Sequence, residues 1–268
     1  MQICFIGGGN MAQAMLGGLL QQGQPAASLS VVEVSPEARE TVRKRFGITA
    51  IENLQPGAAD VFVLAVKPQQ LRAIAQQLRP LLKQQLLISI AAGIRCGDVA
   101  RWLGGYSRIV RVMPNTPALV RAGISGLYAL PAVTREEKQQ AETILDAVGA
   151  TLWLEREEQM DAVTAVSGSG PAYVFYFIET LQQAAQELGF DAAQAKQLAL
   201  ATFSGAVKLA LEGEDVQVLR SRVTSKGGTT EAALKSMDKD GVKDAIKRAI
   251  HAAAERSREI GDELGKAD

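Results

Sequence analysis

Short apolar runs alternate with stretches of helical period through the first half of the chain. The runs have the length of buried strands and are rich in β-branched residues; they lie at residues 2–6, 30–34, 61–66, 86–91 and 109–113. Strands that alternate with amphipathic helices are typical of βαβ units, which build a parallel sheet. The pattern therefore predicts an α/β fold with a doubly wound sheet in this half.

Local signals between these runs predict where helices begin and end. Ser35 stands before a proline, which is the sequence of an N-cap followed by proline at the first helical position, and Gly47 can end that helix. Thr134 begins a segment with capping-box spacing, and Gly149 is predicted to close the helix that follows.

The pattern changes after the charged segment 155–158. No later run has the character of a strand, and the rest of the chain is rich in alanine and leucine. We predict a domain boundary between residues 156 and 157, followed by an all-helical domain that buries its apolar faces against a second copy of the chain. Its helices are predicted at residues 159–166, 171–188, 191–211, 229–237 and 242–264.

Charge and composition narrow the range of partners. Hydrophobic residues make up 47% of the 268, enough for a sizeable core. Because 29 lysines and arginines balance 29 acidic residues, neither nucleic acid nor an anionic membrane is expected as the main partner. The longest late uncharged stretch, residues 162–178, has polar and helix-breaking residues at its centre and is too short to span a bilayer.

Cysteine and histidine usage exclude further classes of site. The two cysteines, Cys4 and Cys96, have the setting of buried thiols, which favours a reducing cytoplasm. The one histidine, His251, lies in a helical run near the end of the chain. We therefore expect neither a Ser-His-Asp triad nor a metal site.

A glycine-rich turn follows the first predicted strand. Residues 7–12 match G-x-G-x-x-A and open a helix that runs to about residue 20. In this context the glycines allow a tight turn, and the helix N-terminus faces the pyrophosphate of a dinucleotide. Gly7 and Gly9 are the glycines of the fingerprint, and a helix-opening pair, Asn10 and Met11, follows them.

The end of the second predicted strand bears on which dinucleotide binds. Glu33 lies about 20 residues beyond the glycines, where an acidic side chain accepts hydrogen bonds from the adenine ribose, and it favours NADH. Ser35 and Arg39 are close enough in sequence to meet a 2′-phosphate, although an N-cap and a solvated helix position are the preferred explanations for them. Both NADPH and NADH are compatible with these residues.

Two further strand ends are predicted at the same edge of the sheet, where ligands of doubly wound folds bind. Val66, Lys67 and Pro68 follow one strand, and Ala91 and Ala92 follow the next. Small residues here leave room for a flat cofactor. Lys67 is either a catalytic cation or a solvated charge before a helix that begins at proline.

A second anion-binding segment is predicted near the other end of the chain. Residues 223–231 contain two glycines that lead directly into a helix start, so free backbone N–H groups there can hold a carboxylate. The hydroxyls of Ser225, Thr229 and Thr230 add donors. Taken alone, this segment is explained better by an ordinary turn between helices with a threonine N-cap.

Two other non-helical segments carry polar groups. Residues 167–171, Ser-Gly-Ser-Gly-Pro, allow close approach of a ligand or of another backbone. Asn115 follows a strand and can offer both a donor and an acceptor to a carboxamide, although asparagine beside proline is common in turns.

Five segments together resemble one family over essentially the whole chain. In order, they are GGGNMAQA, AVKP, VRVMPNTPA, AVSGSGPAY and LRSRVTSKGGTTEAAL. They are similar to pyrroline-5-carboxylate reductase, and the last segment is the most specific. The resemblance implies an N-terminal Rossmann domain, residues 1–156, and a C-terminal helical substrate-binding and dimerisation domain, residues 157–268. It also implies reduction of the C=N bond of 1-pyrroline-5-carboxylate to L-proline with NADPH or NADH, the last step of proline biosynthesis.

The resemblance also implies roles for individual residues. Thr230 matches the threonine whose hydroxyl lies beside the ring nitrogen, and the loop around it binds the substrate carboxylate through backbone amides. The implied substrate-binding residues are Ser225, Gly227, Gly228, Thr229 and Thr230. The implied cofactor-binding residues are Gly7, Gly9, Asn10, Met11, Asn53, Val66, Lys67, Pro68, Ala91, Ala92 and Asn115. Glu33 and Ser35, at the end of the second predicted strand, are also candidates.

Two residues depart from the family pattern. Lys226 stands where proline is common and receives no role, and Glu33 stands where members have a neutral polar residue. The resemblance implies a homodimer, or an assembly of dimers, in which one active site can take its substrate loop from the partner. A hydroxyacid dehydrogenase using Lys196 or Lys208, or a nucleotide-binding protein without catalysis, remains the alternative.

Overall fold

The chain forms two compact units in a computed structural model that describes residues 1–55 and 59–266. The first unit contains Met1–Ser169 together with the C-terminal segment from Ala253, and the second contains Gly170–Ala252. The boundary between residues 156 and 157 stays a prediction, because the division into compact units does not test where one domain ends and the next begins.

Eight strands of the first unit form one sheet. They are β1 (Ile3–Ile6), β2 (Leu29–Val32), β3 (Thr49–Ile51), β4 (Val61–Leu64), β5 (Leu86–Ser89), β6 (Ile109–Met113), β7 (Gly123–Ala129) and β8 (Gly149–Trp153). Their order is β3-β2-β1-β4-β5-β6-β7-β8. The first six are parallel, β7 is antiparallel to β6, and β8 is parallel to β7. The order reverses between β1 and β4, which is the switch point where ligands of such sheets bind.

Helices cover both faces of this sheet. They are α1 (Asn10–Gln21), α2 (Pro36–Phe46), α3 (Pro68–Leu78), α4 (Cys96–Trp102), α5 (Arg135–Asp146) and α6 (Gln159–Val163). Apolar side chains of α1, α2 and α5 pack in one cluster, and those of α3 and α4 pack in another. The two clusters lie on opposite faces of the strands, since neighbouring strand residues such as Phe5 and Ile6 belong to different clusters. The predicted doubly wound α/β sheet is confirmed.

Most predicted boundaries agree with the structure. The Ser35 side chain caps α2, Gly47 ends that helix in the left-handed conformation, and Thr134 begins α5 with a complete capping box. The prediction for Gly149 was wrong, because α5 ends earlier and Gly149 begins β8. A side chain at Gly149 would collide with the backbone of Gly123, its partner in β7, so glycine is required here for strand pairing.

The five predicted strands are present, but β3, β7 and β8 were not predicted. The third strand has only three residues at the sheet edge. The seventh contains Gly123, Ser125 and Gly126, which have low strand propensity, and the eighth alternates between half-buried and exposed positions without a continuous apolar run.

Helices make up the second unit. They are α7 (Gly170–Glu187), α8 (Ala192–Leu211), α9 (Val216–Arg222), α10 (Thr229–Lys239) and α11 (Val242–Gly265), the last part of which belongs to the first unit. The short α9 was not predicted. The helix predicted at residues 159–166 is α6 followed by a π-helical turn, Thr164–Gly168, in the first unit.

The second unit leaves most of its apolar surface uncovered. Within residues 170–252, all of which the structure describes, only Ala195 and Ala199 are buried. Phe175 and Tyr176 are 65% and 68% exposed, and Leu188 is 81% exposed. Exposed apolar surface on this scale is typical of an interface with another protein molecule.

The end of α11 contacts both α6 and the loop that follows β5. Ser257 donates a hydrogen bond of 2.7 Å to the Asp161 carboxylate, and Arg95 forms an ion pair of 2.7 Å with Asp262. Gly93 has a φ of +79°, and a side chain there would collide with α11. The position of this loop therefore depends on the C-terminal helix.

Glu157, which precedes α6, contacts α4 and β6. One of its carboxylate oxygens accepts hydrogen bonds from the backbone N–H of Cys96, at 2.7 Å, and from Arg111 Nη1, at 2.9 Å. Arg111 is buried on β6. Burial raises the pKa of the Cys96 thiol, the Glu157 charge raises it further, and burial likewise raises the pKa of Cys4. Both thiols are free and buried, as predicted.

Replacing Glu157 with alanine is expected to lower the free energy of unfolding by about 2 kcal/mol, because it leaves the buried Arg111 without its counter-charge. Urea unfolding of the wild type and the variant measures the difference. The matched control is Glu158→Ala, since Glu158 is the exposed neighbour. Equal loss from both variants would contradict a specific role for the Glu157–Arg111 pair.

Candidate active site

The glycine turn between β1 and α1 has the geometry of a phosphate-binding turn. Gly7 has a φ of +102°, and a Cβ there would lie 2.6 Å from the carbonyl oxygen of Ala65. Gly9 has an ordinary φ of −68°, and a Cβ there would meet nothing within 4 Å. Protein packing therefore requires glycine at the first position, whereas the second opens onto free space.

The start of α1 suits an anion. Gly9 is the N-cap residue, and both Gly9 and Asn10 are exposed. The N–H groups of a first helical turn have no acceptor within the helix, and the first turn of α1 carries no acidic side chain. The predicted pyrophosphate fits this end of the helix, and Asn10 and Met11 belong to that turn.

A cleft of about 580 Å³ lies beside the glycine turn, at the switch point of the sheet. Five of the predicted cofactor-binding residues line it: Gly7, Gly9, Glu33, Val66 and Lys67. Its size and position suit part of a dinucleotide.

The other predicted cofactor-binding residues lie around this edge. Pro68 is the first residue of α3, Asn53 is exposed beyond the end of β3, and Ala91 and Ala92 follow β5. Ala91 is buried, whereas Ala92 is exposed. The structure brings these residues to the carboxyl ends of neighbouring strands.

Glu33 is held against the glycine turn. Its Oε2 accepts a hydrogen bond of 2.8 Å from the N–H of Gly8, and its Oε1 accepts one of 3.0 Å from the N–H of Ser35. The Ser35 hydroxyl in turn accepts from a backbone N–H of α2 and donates to Glu37. The contact between Glu33 and Gly8 was not predicted, because it joins residues 25 apart in the sequence.

Asn115 is engaged at both ends of its side-chain amide. Its Oδ1 accepts a hydrogen bond of 3.0 Å from the N–H of Ile124, and its Nδ2 donates one of 3.2 Å to the carbonyl of Ser167. Ser167 lies in the π-helical turn, where a Cβ at Gly168 would lie 2.7 Å from the Cε of Met113. Asn115 therefore links the end of β6 to this turn, which leaves one N–H and one lone pair of Oδ1 to contact a ligand.

The predicted substrate loop of the second unit joins α9 to α10. Gly227 has a φ of +76°, and its N–H donates a hydrogen bond of 2.7 Å to Glu231 Oε2. A Cβ at Gly228, the N-cap residue, would lie 2.5 Å from the Oγ of Ser225. Both glycines are thus required by the shape of the loop itself.

The first turn of α10 presents the groups that a carboxylate needs. Thr229 and Thr230 are its first two residues, so their N–H groups have no acceptor within the helix. Thr229 is exposed and Thr230 is half-buried. Glu231 was missed by sequence reasoning, although an acidic residue in a first helical turn is a recognisable signal; it holds Gly227 and forms an ion pair of 3.2 Å with Lys235.

Comparisons with known proteins match both parts of the chain. Residues 157–260 match the family model described as pyrroline-5-carboxylate reductase dimerisation, and residues 2–93 match the model described as NADP oxidoreductase coenzyme F420-dependent. Pyrroline-5-carboxylate reductase of Pseudomonas aeruginosa is 46% identical over 99% of this chain and 98% of its own length. This chain belongs to the pyrroline-5-carboxylate reductase family.

Other members of the family agree over nearly the full length. The Escherichia coli pyrroline-5-carboxylate reductase is 38% identical over 97% of this chain and 98% of its own length. The structure of the Coxiella burnetii enzyme has a TM-score of 0.92 at 40% identity, covering 97% of this chain and 98% of that one. The Plasmodium falciparum pyrroline carboxylate reductase, solved with NADP bound, has a TM-score of 0.86 at 30% identity, with coverage of 97% and 98%.

Two predictions made from composition can be compared with the described residues. No helix within residues 1–55 and 59–266 is long and apolar enough to cross a membrane. The same residues contain no group of three or more histidine, cysteine, aspartate or glutamate side chains placed to hold a metal ion. Lys196 and Lys208, the lysines that a hydroxyacid dehydrogenase would need, are both exposed on α8.

Proposed function

We propose that this chain reduces the C=N bond of 1-pyrroline-5-carboxylate to L-proline with NADPH or NADH, the last step of proline biosynthesis. The observation that carries the proposal is the presence of two anion-binding helix starts in one member of the family. One follows the glycine turn, and the other follows the loop before Thr229. The reaction needs both, because the cofactor carries a pyrophosphate and the substrate a carboxylate.

On the cofactor side, the chain binds and orients the dinucleotide. The reduced nicotinamide, when bound, supplies the hydride for the imine carbon. The turn at Gly7 and Gly9 and the first turn of α1 hold the pyrophosphate, while Glu33 and Ser35 lie toward the ribose. The proposed contacts beyond these are Asn10, Met11, Asn53, Val66, Lys67, Pro68, Ala91, Ala92 and Asn115.

On the substrate side, the N–H groups of Thr229 and Thr230 hold the carboxylate, with Ser225, Gly227 and Gly228 shaping the loop. The Thr230 hydroxyl lies beside the ring nitrogen and is the proposed catalytic group. A protonated imine is already electrophilic, so the protein needs no strong acid to activate it. Catalysis then consists mainly of holding the reacting groups in position.

The assembly is proposed to be a homodimer, formed through the helices of residues 157–268. The exposed Phe175 and Tyr176 on α7 support a homodimer, since exposing apolar side chains of this size to water is unfavourable. Residues 1–156 are proposed as the dinucleotide-binding domain. A cytoplasmic location is proposed from the free, buried thiols of Cys4 and Cys96.

Replacing Phe175 and Tyr176 together with serine is expected to shift the protein from dimer to monomer at micromolar concentration, because each loses apolar surface that the partner would cover. Sedimentation velocity across a dilution series measures the shift. Glu179→Ala, an exposed polar change on the same helix, is the control. A double variant that stays dimeric would place the interface elsewhere.

The decisive test of the activity is loss of absorbance of the reduced nicotinamide with pyrroline-5-carboxylate as substrate. Rapid oxidation that depends on the substrate and yields proline is expected. Binding of the cofactor without turnover on the imine would contradict the proposal and favour a nucleotide-binding protein without catalysis.

A further inference from the structure

We infer that Glu33 makes this chain prefer NADH to NADPH. The inference rests on the proposed function and concerns the adenosine end of the same cofactor site. Glu33 follows the end of β2, which is where the adenine ribose of a dinucleotide meets a sheet of this topology. The two cofactors differ only there, by a phosphate in place of the ribose 2′-hydroxyl.

The Glu33 carboxylate is held near the expected ribose 2′ position, where NADH and NADPH differ. It accepts from the N–H of Gly8 at 2.8 Å and from the N–H of Ser35 at 3.0 Å. An ionised carboxylate has about four acceptor sites, so two remain for ribose hydroxyls. Turning away to admit a phosphate would break both contacts and leave two backbone N–H groups without their acceptor.

The cation nearest in the chain is already engaged. Arg39 Nη1 donates to the carbonyls of Glu33, at 2.6 Å, and Val34, at 2.9 Å, and its Nη2 lies 3.3 Å from Glu52. Only 12% of the Arg39 side chain is exposed. Arg39 therefore holds the turn after β2, and its charge is offset by an acidic partner.

The remaining donor in this turn is also used. The Ser35 hydroxyl donates to Glu37 and accepts from the N–H of Ala38, while the Ser35 N–H donates to Glu33. A 2′-phosphate would therefore meet a fixed negative charge, where the Ser35 hydroxyl is already engaged and Arg39 is mostly buried and paired with Glu52.

The test is calorimetric titration of the full chain with NADH and with NADPH, in the absence of substrate. The wild type is expected to bind NADH about tenfold more tightly than NADPH, from like-charge repulsion at a partly exposed site. In Glu33→Gln, which removes the charge and keeps the shape, the ratio is expected to fall to about one. Glu33→Ala removes the same charge without placing a glutamine NH₂ group against the backbone N–H of Gly8 or Ser35.

The matched control is Glu40→Gln. Glu40 is exposed on α2, pairs with Arg43 and Lys44, and gives the same change in net charge away from the glycine turn. The control is expected to keep the wild-type ratio. NADPH binding as tight as NADH in the wild type, or an equal shift in the control, would overturn the inference. Binding of neither cofactor to the wild type would overturn the proposed function, and this inference with it.

Discussion

Replacing Thr230 with alanine is expected to lower kcat/KM for pyrroline-5-carboxylate by about a hundredfold, the usual effect of losing one donor at a reacting atom. Thr230 is the second residue of α10, and its side chain is half-buried. Its hydroxyl is the group proposed to position the ring nitrogen. The carboxylate is held by backbone N–H groups, which the substitution keeps, so the loss should fall mainly on kcat.

The fold should tolerate this change, and that makes the result interpretable. The N-cap of α10 is Gly228, so no cap is lost, and alanine has a higher helix propensity than threonine. We expect the free energy of unfolding to change by less than about 0.5 kcal/mol. Thr230→Ser keeps the hydroxyl and should recover most of the activity. An unchanged kcat/KM in Thr230→Ala would show that the hydroxyl has no role in the reaction.

Replacing Gly7 with alanine is expected to cost about 3 kcal/mol of stability and to abolish measurable cofactor binding. Gly7 has a φ of +102°, which is unfavourable for any residue with a Cβ, and that Cβ would lie 2.6 Å from the Ala65 carbonyl oxygen. Relief requires β1 and the loop after β4 to separate. Thermal unfolding and a binding titration with NADH measure the two effects.

Gly9→Ala separates binding from folding and is the matched control. Gly9 has a φ of −68°, and its Cβ would enter open space, so stability should change by less than about 0.5 kcal/mol. The methyl group would nevertheless occupy the side of the turn where the pyrophosphate approaches the backbone, and affinity should fall at least about tenfold. Full cofactor affinity in Gly9→Ala would contradict the assignment of this turn to a pyrophosphate.

Two glycines that look alike in the sequence thus have different reasons to be glycine. The fingerprint assigns the first glycine, Gly7, to the tight turn and the second, Gly9, to close approach of the pyrophosphate. The structure distinguishes them, because one is packed against protein and the other is open. The open position leaves the room that the fingerprint requires for a pyrophosphate.

Local physics explains what could be predicted from the sequence. Apolar runs of strand length, the Ser35 and Thr134 caps, and the left-handed Gly47 all depend on residues close together in the chain. The same holds for the two glycine-containing helix starts, since the orphan N–H groups of a helix arise from the helix itself. The α/β sheet, the helical second half and the two glycine-containing helix starts could therefore be predicted from the sequence.

Contacts between distant residues required the tertiary structure. The pairing of Gly149 with Gly123 turned an expected helix end into the start of a strand, and Glu157 reached Arg111 across 46 positions. Asn115, expected to face a ligand, uses both ends of its amide to join Ile124 and the π-helical turn.

The sequence by itself thus determined the class of fold, the glycine-rich turn before α1 and the glycine-containing start of α10, because short-range propensities and spacing specify each of them. Only the tertiary structure decided what Glu33 does. Its carboxylate is oriented by the N–H of Gly8, 25 residues away, and the direction of a side chain depends on the donors that packing brings to it.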